Sequence, residues 1–301
     1  MRAASVLSCI ALAACEFTAP PAVGQVDANG SDRDANVGVD AVGGCATCPP
    51  NDVPSGAIAI TGSGRIVGSL ANARDDLTAS CGTVGGRDLF YELIVPTTQV
   101  VYVDTVESKF DAVLSIYAGP CTAQPAQLAC ADDPCTGTSH AQLARSLAVG
   151  THCLVVDEGT IGDDAHDDVT LDVVFAGRDG IELVGAGPWN VTGNTCTGSD
   201  LNDPGCEVGA GNPGSAKDLM YWFTTCPGSH TVTASTCASV GYDSIVYLRS
   251  DSGELGCRDD GCANLGTGSL LVSSSTGNGL MMVVVDGWGG ACGTFSMSIS
   301  Q

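Results

Sequence analysis

From Ala57 onward the chain reads as short runs of aliphatic, β-branched and aromatic residues, alternating with polar ones and separated by Gly, Asp, Asn and Pro. Val101-Tyr-Val-Asp-Thr-Val106 and Val169-Thr-Leu-Asp-Val-Val-Phe175 follow the two-residue period of a strand with one face in a core and the other in water. No segment sustains a period near 3.6, so strands alone are expected. In the first half they are predicted near Ala57–Thr61, Asp88–Val95, Gln99–Val106, Ala112–Tyr117, Gln142–Leu147, His152–Asp157 and Val169–Phe175. In the second half they fall near Gly180–Val184, Asp218–Thr224, His230–Ser235, Ser244–Arg249, Ser269–Ser274, Leu280–Asp286 and Thr294–Ser300.

The two sets repeat each other. Asp88-Leu-Phe-Tyr91 matches Asp218-Leu-Met-Tyr221, and Leu154-Val-Val-Asp157 matches Val283-Val-Val-Asp286. Phe110-Asp-Ala-Val-Leu-Ser-Ile-Tyr117 leads to Cys130-Ala-Asp-Asp-Pro-Cys135, just as Tyr242-Asp-Ser-Ile-Val-Tyr-Leu-Arg249 leads to Cys257-Arg-Asp-Asp-Gly-Cys262. Each copy holds enough strands to close its own core, so the expected fold is all-β, two tandem antiparallel β-sandwiches of jelly-roll type over 56–177 and 178–301.

These motifs resemble the bacterial pre-peptidase C-terminal (PPC) β-sandwich. The resemblance rests on the Asp-Leu-Phe-Tyr strand, the aromatic-Asp-aliphatic strand, the Cys-x-Asp-Asp segment and the closing Val-Val-Asp strand. It covers about residues 55–300. It implies non-catalytic modules, some of which bind calcium or polymeric substrate. This chain differs from the family's usual setting in carrying no attached protease or glycosidase domain.

The ends and the composition add the compartment. Val6–Ala14 is an apolar run too short to span a bilayer, as in a signal peptide (1–14), and Leu12-Ala-Ala-Cys15 resembles a bacterial lipobox. That resemblance implies lipidation of Cys15 and anchoring to the membrane by acyl chains. Residues 15–55 lack apolar periodicity and are expected to form a disordered acidic linker. Sixteen Cys, 40 Gly and a net charge of −23 describe an exported, disulfide-stapled protein of the cell envelope, at the outer membrane or cell surface. So acidic a surface repels nucleic acid and attracts divalent cations or basic partners.

Two Cys aside, Cys9 in the leader and Cys15, fourteen remain, enough for seven disulfides. Spacing does not fix connectivity. The shortest closures pair Cys45 with Cys48, Cys257 with Cys262, Cys226 with Cys237, Cys196 with Cys206, Cys121 with Cys130 and Cys135 with Cys153.

The repeated aspartates are the candidate site. Ca²⁺ takes six to eight oxygen ligands, and a segment bracketed by two Cys would hold adjacent carboxylates at one ion. Asp111, Asp132, Asp133 and Asp157 form the first set and Asp243, Asp259, Asp260 and Asp286 the second. The competing role for these side chains is to cap backbone amides at turns. Trp288, in a Gly-rich loop, is a candidate platform for stacking a sugar ring or a protein side chain. The four His residues show no HExxH spacing and there is no GxSxG elbow, so no catalytic residue is assigned. The expected function is non-catalytic binding or adhesion, with an extracellular polysaccharide or protein as ligand and calcium as a stabilising ion. The alternatives are a structural envelope subunit without a ligand and a hydrolase of unrecognised type.

Overall fold

The structure is a computed structural model that describes residues 47–301 apart from 83, 124–125, 160–166, 202–203, 208–215 and 264. The expected leader, Cys15 with its expected lipidation and most of the expected linker lie outside the described residues, as does Cys45. Residues Cys45–Gln301 form one compact unit.

Among the described residues the chain is all-β, with only short 3₁₀ turns between strands. In chain order the first half supplies β1 (Ile58–Ile60), β2 (Gly64–Ser69), β3 (Asp88–Val95), β4 (Gln99–Asp104), β5 (Ala112–Ala118), β6 (Gln127–Asp132), β7 (Gln142–Leu147), β8 (Gly150–Glu158) and β9 (Asp168–Phe175). The second half supplies β10 (Ile181–Glu182), β11 (Trp189–Asn194), β12 (Leu219–Thr225), β13 (Ser229–Val240), β14 (Ser244–Ser250), β15 (Gly253–Asp259), β16 (Gly261–Cys262), β17 (Leu265–Thr276), β18 (Gly279–Gly287) and β19 (Thr294–Ser300).

They pair into four sheets: β1-β3-β8-β5-β6, β2-β9-β4-β7, β10-β12-β18-β14-β15 and β11-β19-β13-β17-β16. The third sheet repeats the first strand for strand, down to a parallel edge pair, β1 with β3 and β10 with β12. The register repeats as well. Asp88 lies opposite Asp157, and Leu219 opposite Val285, which sets Asp218 across from Asp286.

Five strands, β2, β6, β11, β15 and β16, are not among those predicted. Their sequences, such as Gly64-Arg-Ile-Val-Gly-Ser69 and Gly253-Glu-Leu-Gly-Cys-Arg-Asp259, are rich in Gly and small residues and burial along them is only partial. They are strands because a neighbour is already in place: β6 and β15 return antiparallel along β5 and β14. The Cys-x-Asp-Asp segments, which lie outside the predicted strands, are therefore mostly strand, and Asp133 and Asp260 turn the corner.

Sheet alternation builds the layers. Leu89, Tyr91, Leu93, Leu114, Ile116, Leu154 and Val156 meet Val101, Val103, Leu171 and Val173 in the first core. Tyr221, Phe223, Val246, Val283 and Val285 meet Val232, Phe295, Met297 and Ile299 in the second. A third apolar cluster joins the two sandwiches: Val100 and Tyr102, with Ala144, Val174 and Ala176 at its edge, pack against Met220, Trp222, Ile245, Tyr247, Met282 and Val284. The outer face of the first sheet, with Phe90, Tyr117 and Val155, is closed over by Ala57, Leu77 and Cys121 instead. The outer face of the fourth sheet is mostly polar, with Asn190, Thr192, Thr231, Ser274, Ser298 and Ser300 exposed on it and Val272 standing among them at 58% exposure.

Six disulfides are described: Cys81–Cys130, Cys121–Cys153, Cys135–Cys226, Cys196–Cys292, Cys206–Cys257 and Cys237–Cys262. Cys48 is disulfide-bonded too. None of the short closures over the described residues forms. Within Cys130–Cys135 and Cys257–Cys262 the two sulfurs lead to different neighbouring elements, so each bracket is stapled outward at both ends. The first staple repeats between copies, Cys81–Cys130 and Cys206–Cys257 spanning 49 and 51 residues. Bonds of this density belong to an oxidising, extracytoplasmic setting. Among the described residues no helix is long and apolar enough to cross a membrane.

Candidate aspartate sites

Antiparallel pairing brings the aspartates together. Asp111 stands one residue before β5 and Asp132 closes β6, whose register sets Asp132 against Val113. Asp133 follows in the left-handed region at φ 45°, which Asp tolerates better than bulkier residues. The result is a triad, Asp111, Asp132 and Asp133, with carboxylate oxygens within 4.8 Å of one another. β14 and β15 build the same triad from Asp243, Asp259 and Asp260, with Asp260 at φ 68°. The carbonyl of the first aspartate is held alike in both copies, by the amide of Gly159 at 2.7 Å and of Trp288 at 2.9 Å.

Oxygen-only donors of this kind fit a hard divalent cation. The carboxyls of Asp132, Asp133 and Asp243 are all raised above the ordinary range. Partial burial is the first cause in each, followed by the charge of the neighbouring aspartates: Asp133 then Asp111 at Asp132, Asp111 at Asp133, and Asp260 at Asp243. A bound cation would remove that repulsion.

Asp157 and Asp286 do not join the triads. They sit on β8 and β18, buried at 1% and 2% exposure, opposite Asp88 and Asp218. Their side chains share the sheet face of Val155 and Val284 and so point away from the sandwich cores. In the second copy Arg178, from the β9–β10 connection, hydrogen-bonds the Asp218 carboxylate. Arg178 was not singled out from the sequence; its signal would have been an Arg, in a chain with few cations, at the boundary between the two repeats.

Trp288 is half-buried in a short 3₁₀ turn and packs at the edge of the apolar cluster between the sandwiches. Trp189 and Trp222 are buried, their indole N–H groups donating to the carbonyls of Val184 and Gly180. Where the seam between the sandwiches opens, a cleft of about 600 Å³ is lined by Arg65, Asp104, Asp172, Phe175, Arg249 and Asn278 among others.

No protein-family model matches the sequence, and no curated protein sequence matches it. Solved structures similar to the chain are β-sandwich proteins. The pre-peptidase C-terminal domain of a collagenase from Bacillus anthracis is 14% identical, with a TM-score of 0.27, over 39% of this chain and 93% of that one. A putative secreted protein from Eubacterium rectale is 9% identical, with a TM-score of 0.26, over 83% of this chain and 82% of that one. The tandem CBM22-1–CBM22-2 domains of Xyn10C from Paenibacillus barcinonensis are 11% identical, with a TM-score of 0.20, over 74% of this chain and 84% of that one.

Proposed function

We propose that this chain is an exported, non-catalytic binding protein, held at the cell envelope by a lipid on Cys15, in which each sandwich takes one calcium ion at its aspartate triad. The observation that carries the cation reading is the recurrence of the same three-carboxylate geometry, with the same left-handed aspartate, in two copies whose surrounding loops differ. The ion would tie the start of β5 to the end of β6, and of β14 to β15, stiffening the rim of each sandwich.

The ligand in this reading is an extracellular polysaccharide or protein held in the cleft between the sandwiches. Its lining mixes guanidinium, carboxylate and amide groups over a partly apolar floor of Phe175 and Met282. Carboxylates beside Arg65 and Arg249 disfavour a phosphate, and the arginines disfavour a metal there, whereas sugar hydroxyls both donate and accept.

Thermal unfolding of the disulfide-intact protein in millimolar Ca²⁺ and in EDTA tests the cation sites, because a ligand that binds only the native state raises the midpoint. A calcium-dependent rise, halved by Asp132→Asn or Asp259→Asn and largely removed by both together, is expected. An identical response in the double variant and the native protein would refute it.

A further inference from the structure

Charge is distributed unevenly in the cleft where the seam opens. Three guanidinium groups line it, those of Arg65, Arg178 and Arg249. Arg65 is saturated with carboxylate: its Nε and Nη2 meet the two oxygens of Asp172 at 2.9 and 2.7 Å, and its Nη1 meets Glu107 at 2.7 Å. Arg178 is committed to Asp218. Arg249 makes no ion pair among the described residues, although the chain carries 34 acidic side chains against 11 basic ones.

Lys109, Arg145 and Arg258 also lack a carboxylate among the described residues, but all three are exposed, whereas Arg249 is partly buried. On β14 it follows Ile245 and Tyr247 on the face that forms the seam. The carboxylates around it are held elsewhere. Glu254, its partner across β15, accepts from the amide of Gly205 at 2.8 Å. Asp104 is 5% exposed, accepts from the amide of Val106 at 3.0 Å, and has its carboxyl raised by burial. Asp251, at the hairpin tip, is exposed and out of ion-pair range.

A partly buried guanidinium without a counter-charge is a binding element for an anion. Its planar fork matches a carboxylate with two parallel N–H···O bonds, each about twice as strong as a neutral one. The floor beside it is apolar, with Phe175 and Met282, and Asn278, donating to the Tyr102 hydroxyl at 3.0 Å, adds an amide across the seam. Ring carbons over Phe175, hydroxyls near Asn278 and one carboxylate at Arg249 describe a sugar acid. The net charge of −23 limits how many such units can follow one another. Beyond a screening length of about 8 Å little of that field acts, but a run of carboxylates along the rim would meet it repeatedly. A single acidic unit in an otherwise neutral chain avoids this.

We infer that the cleft takes an oligosaccharide carrying one uronate, whose carboxylate pairs with Arg249 while its ring lies over Phe175 and neutral neighbours fill the rest. This rests on the polysaccharide reading of the cleft and narrows it to a sugar acid, with Arg249 as the residue that selects it.

Calorimetric titration of the full chain with matched oligosaccharides tests it, in EDTA so that no calcium bridges carboxylates. The probes are xylan, mannan and glucan oligomers, each neutral, with one glucuronate or galacturonate branch, and with one sulfate ester. A uronate oligomer should bind about tenfold or more tightly than its neutral match, the free energy of one charge-assisted pair. Arg249→Gln should bring the two to the same affinity, with the fold confirmed by circular dichroism. The uronamide form of the oligomer, uncharged and of the same shape, should bind the native protein like the neutral one, which tests the pair without altering the protein. Equal binding of neutral and uronate oligomers, or a preference that survives in Arg249→Gln or in the uronamide, overturns the inference and leaves the polysaccharide reading standing. So does tighter binding of the sulfate ester than of the uronate. Binding of none of the oligomers overturns both.

Discussion

Cys135 and Cys226 are joined across the two sandwiches, so the segment that follows the first aspartate triad is bonded to the residue after β12. This link and the apolar cluster around Tyr102 and Trp222 fasten the sandwiches by independent means. The paired substitution Cys135→Ser with Cys226→Ser should lower stability by about 2–4 kcal/mol, the usual range for a disulfide. Scanning calorimetry should still show one transition, since the apolar contact survives; two separated transitions would mean that the disulfide alone couples the halves.

Trp222 fills that contact at 3% exposure. Trp222→Ala should cost about 3–5 kcal/mol, the range for removing a large buried aromatic. Denaturant titration with all disulfides intact reads this directly, and a loss below about 1 kcal/mol would show that the seam collapses onto the gap.

Arg178 and Asp218 are a buried ion pair with 6% and 0% of their side chains exposed. Arg178→Met leaves a buried carboxylate without its counter-charge and should destabilise by about 3–5 kcal/mol. Adding Asp218→Leu should restore much of the loss, because removing both charges is far milder than orphaning one. A double variant no more stable than the single one would assign the cost to packing.

The turn aspartates separate a backbone role from a ligand role. Asp133→Gly preserves the left-handed turn and deletes a carboxylate. In EDTA its unfolding midpoint should stay within a degree or two of the native protein, while the calcium-induced rise shrinks. Equal destabilisation in both buffers would make Asp133 a turn cap.

Asp157 gives a pH signature in the calcium-free protein. Burial first, and then the charge of Asp75, push its carboxyl up to about 7. The folded state thus binds a proton more tightly than the unfolded chain. Stability is full below the unfolded value near 4, falls as pH rises towards 7 and is flat above it. Thermal midpoints in EDTA across that window should decline, and Asp157→Asn should reduce the slope, leaving the contribution of Asp88, which burial first and then the charge of Asp157 also raise.

Much of this architecture was legible in residue order. Asp88–Val95, Gln142–Leu147 and Thr294–Ser300 are strands with the predicted ends: Thr294–Ser300 alternates apolar with polar side chains, and Asp88–Val95 is a short apolar run buried on both faces. β6 and β15 were not legible, since Ala, Gly and Cys carry no strand preference and only the partner strand imposes the conformation. Asp111, Asp132 and Asp133 could be grouped from the repeat. The separation of Asp157 from them could not, because it depends on which sheet face the closing strand turns outward. The disulfides were misassigned for a related reason: short closures have low loop entropy, but Cys130 and Cys135 lie on either side of a strand end and face different neighbours.

The polar outer face of the fourth sheet has one more consequence. The second sheet receives a neighbour because it presents Val100, Tyr102 and Val174 outward; the fourth presents Thr231, Ser274 and Ser298 in the corresponding direction. A third sandwich laid on it would bury Val272 but little other apolar surface, and would have to strip water from the surrounding hydroxyls. Serine and threonine around Val272 therefore make the free end of the second sandwich a poorer surface for a further copy than the apolar face that forms the seam.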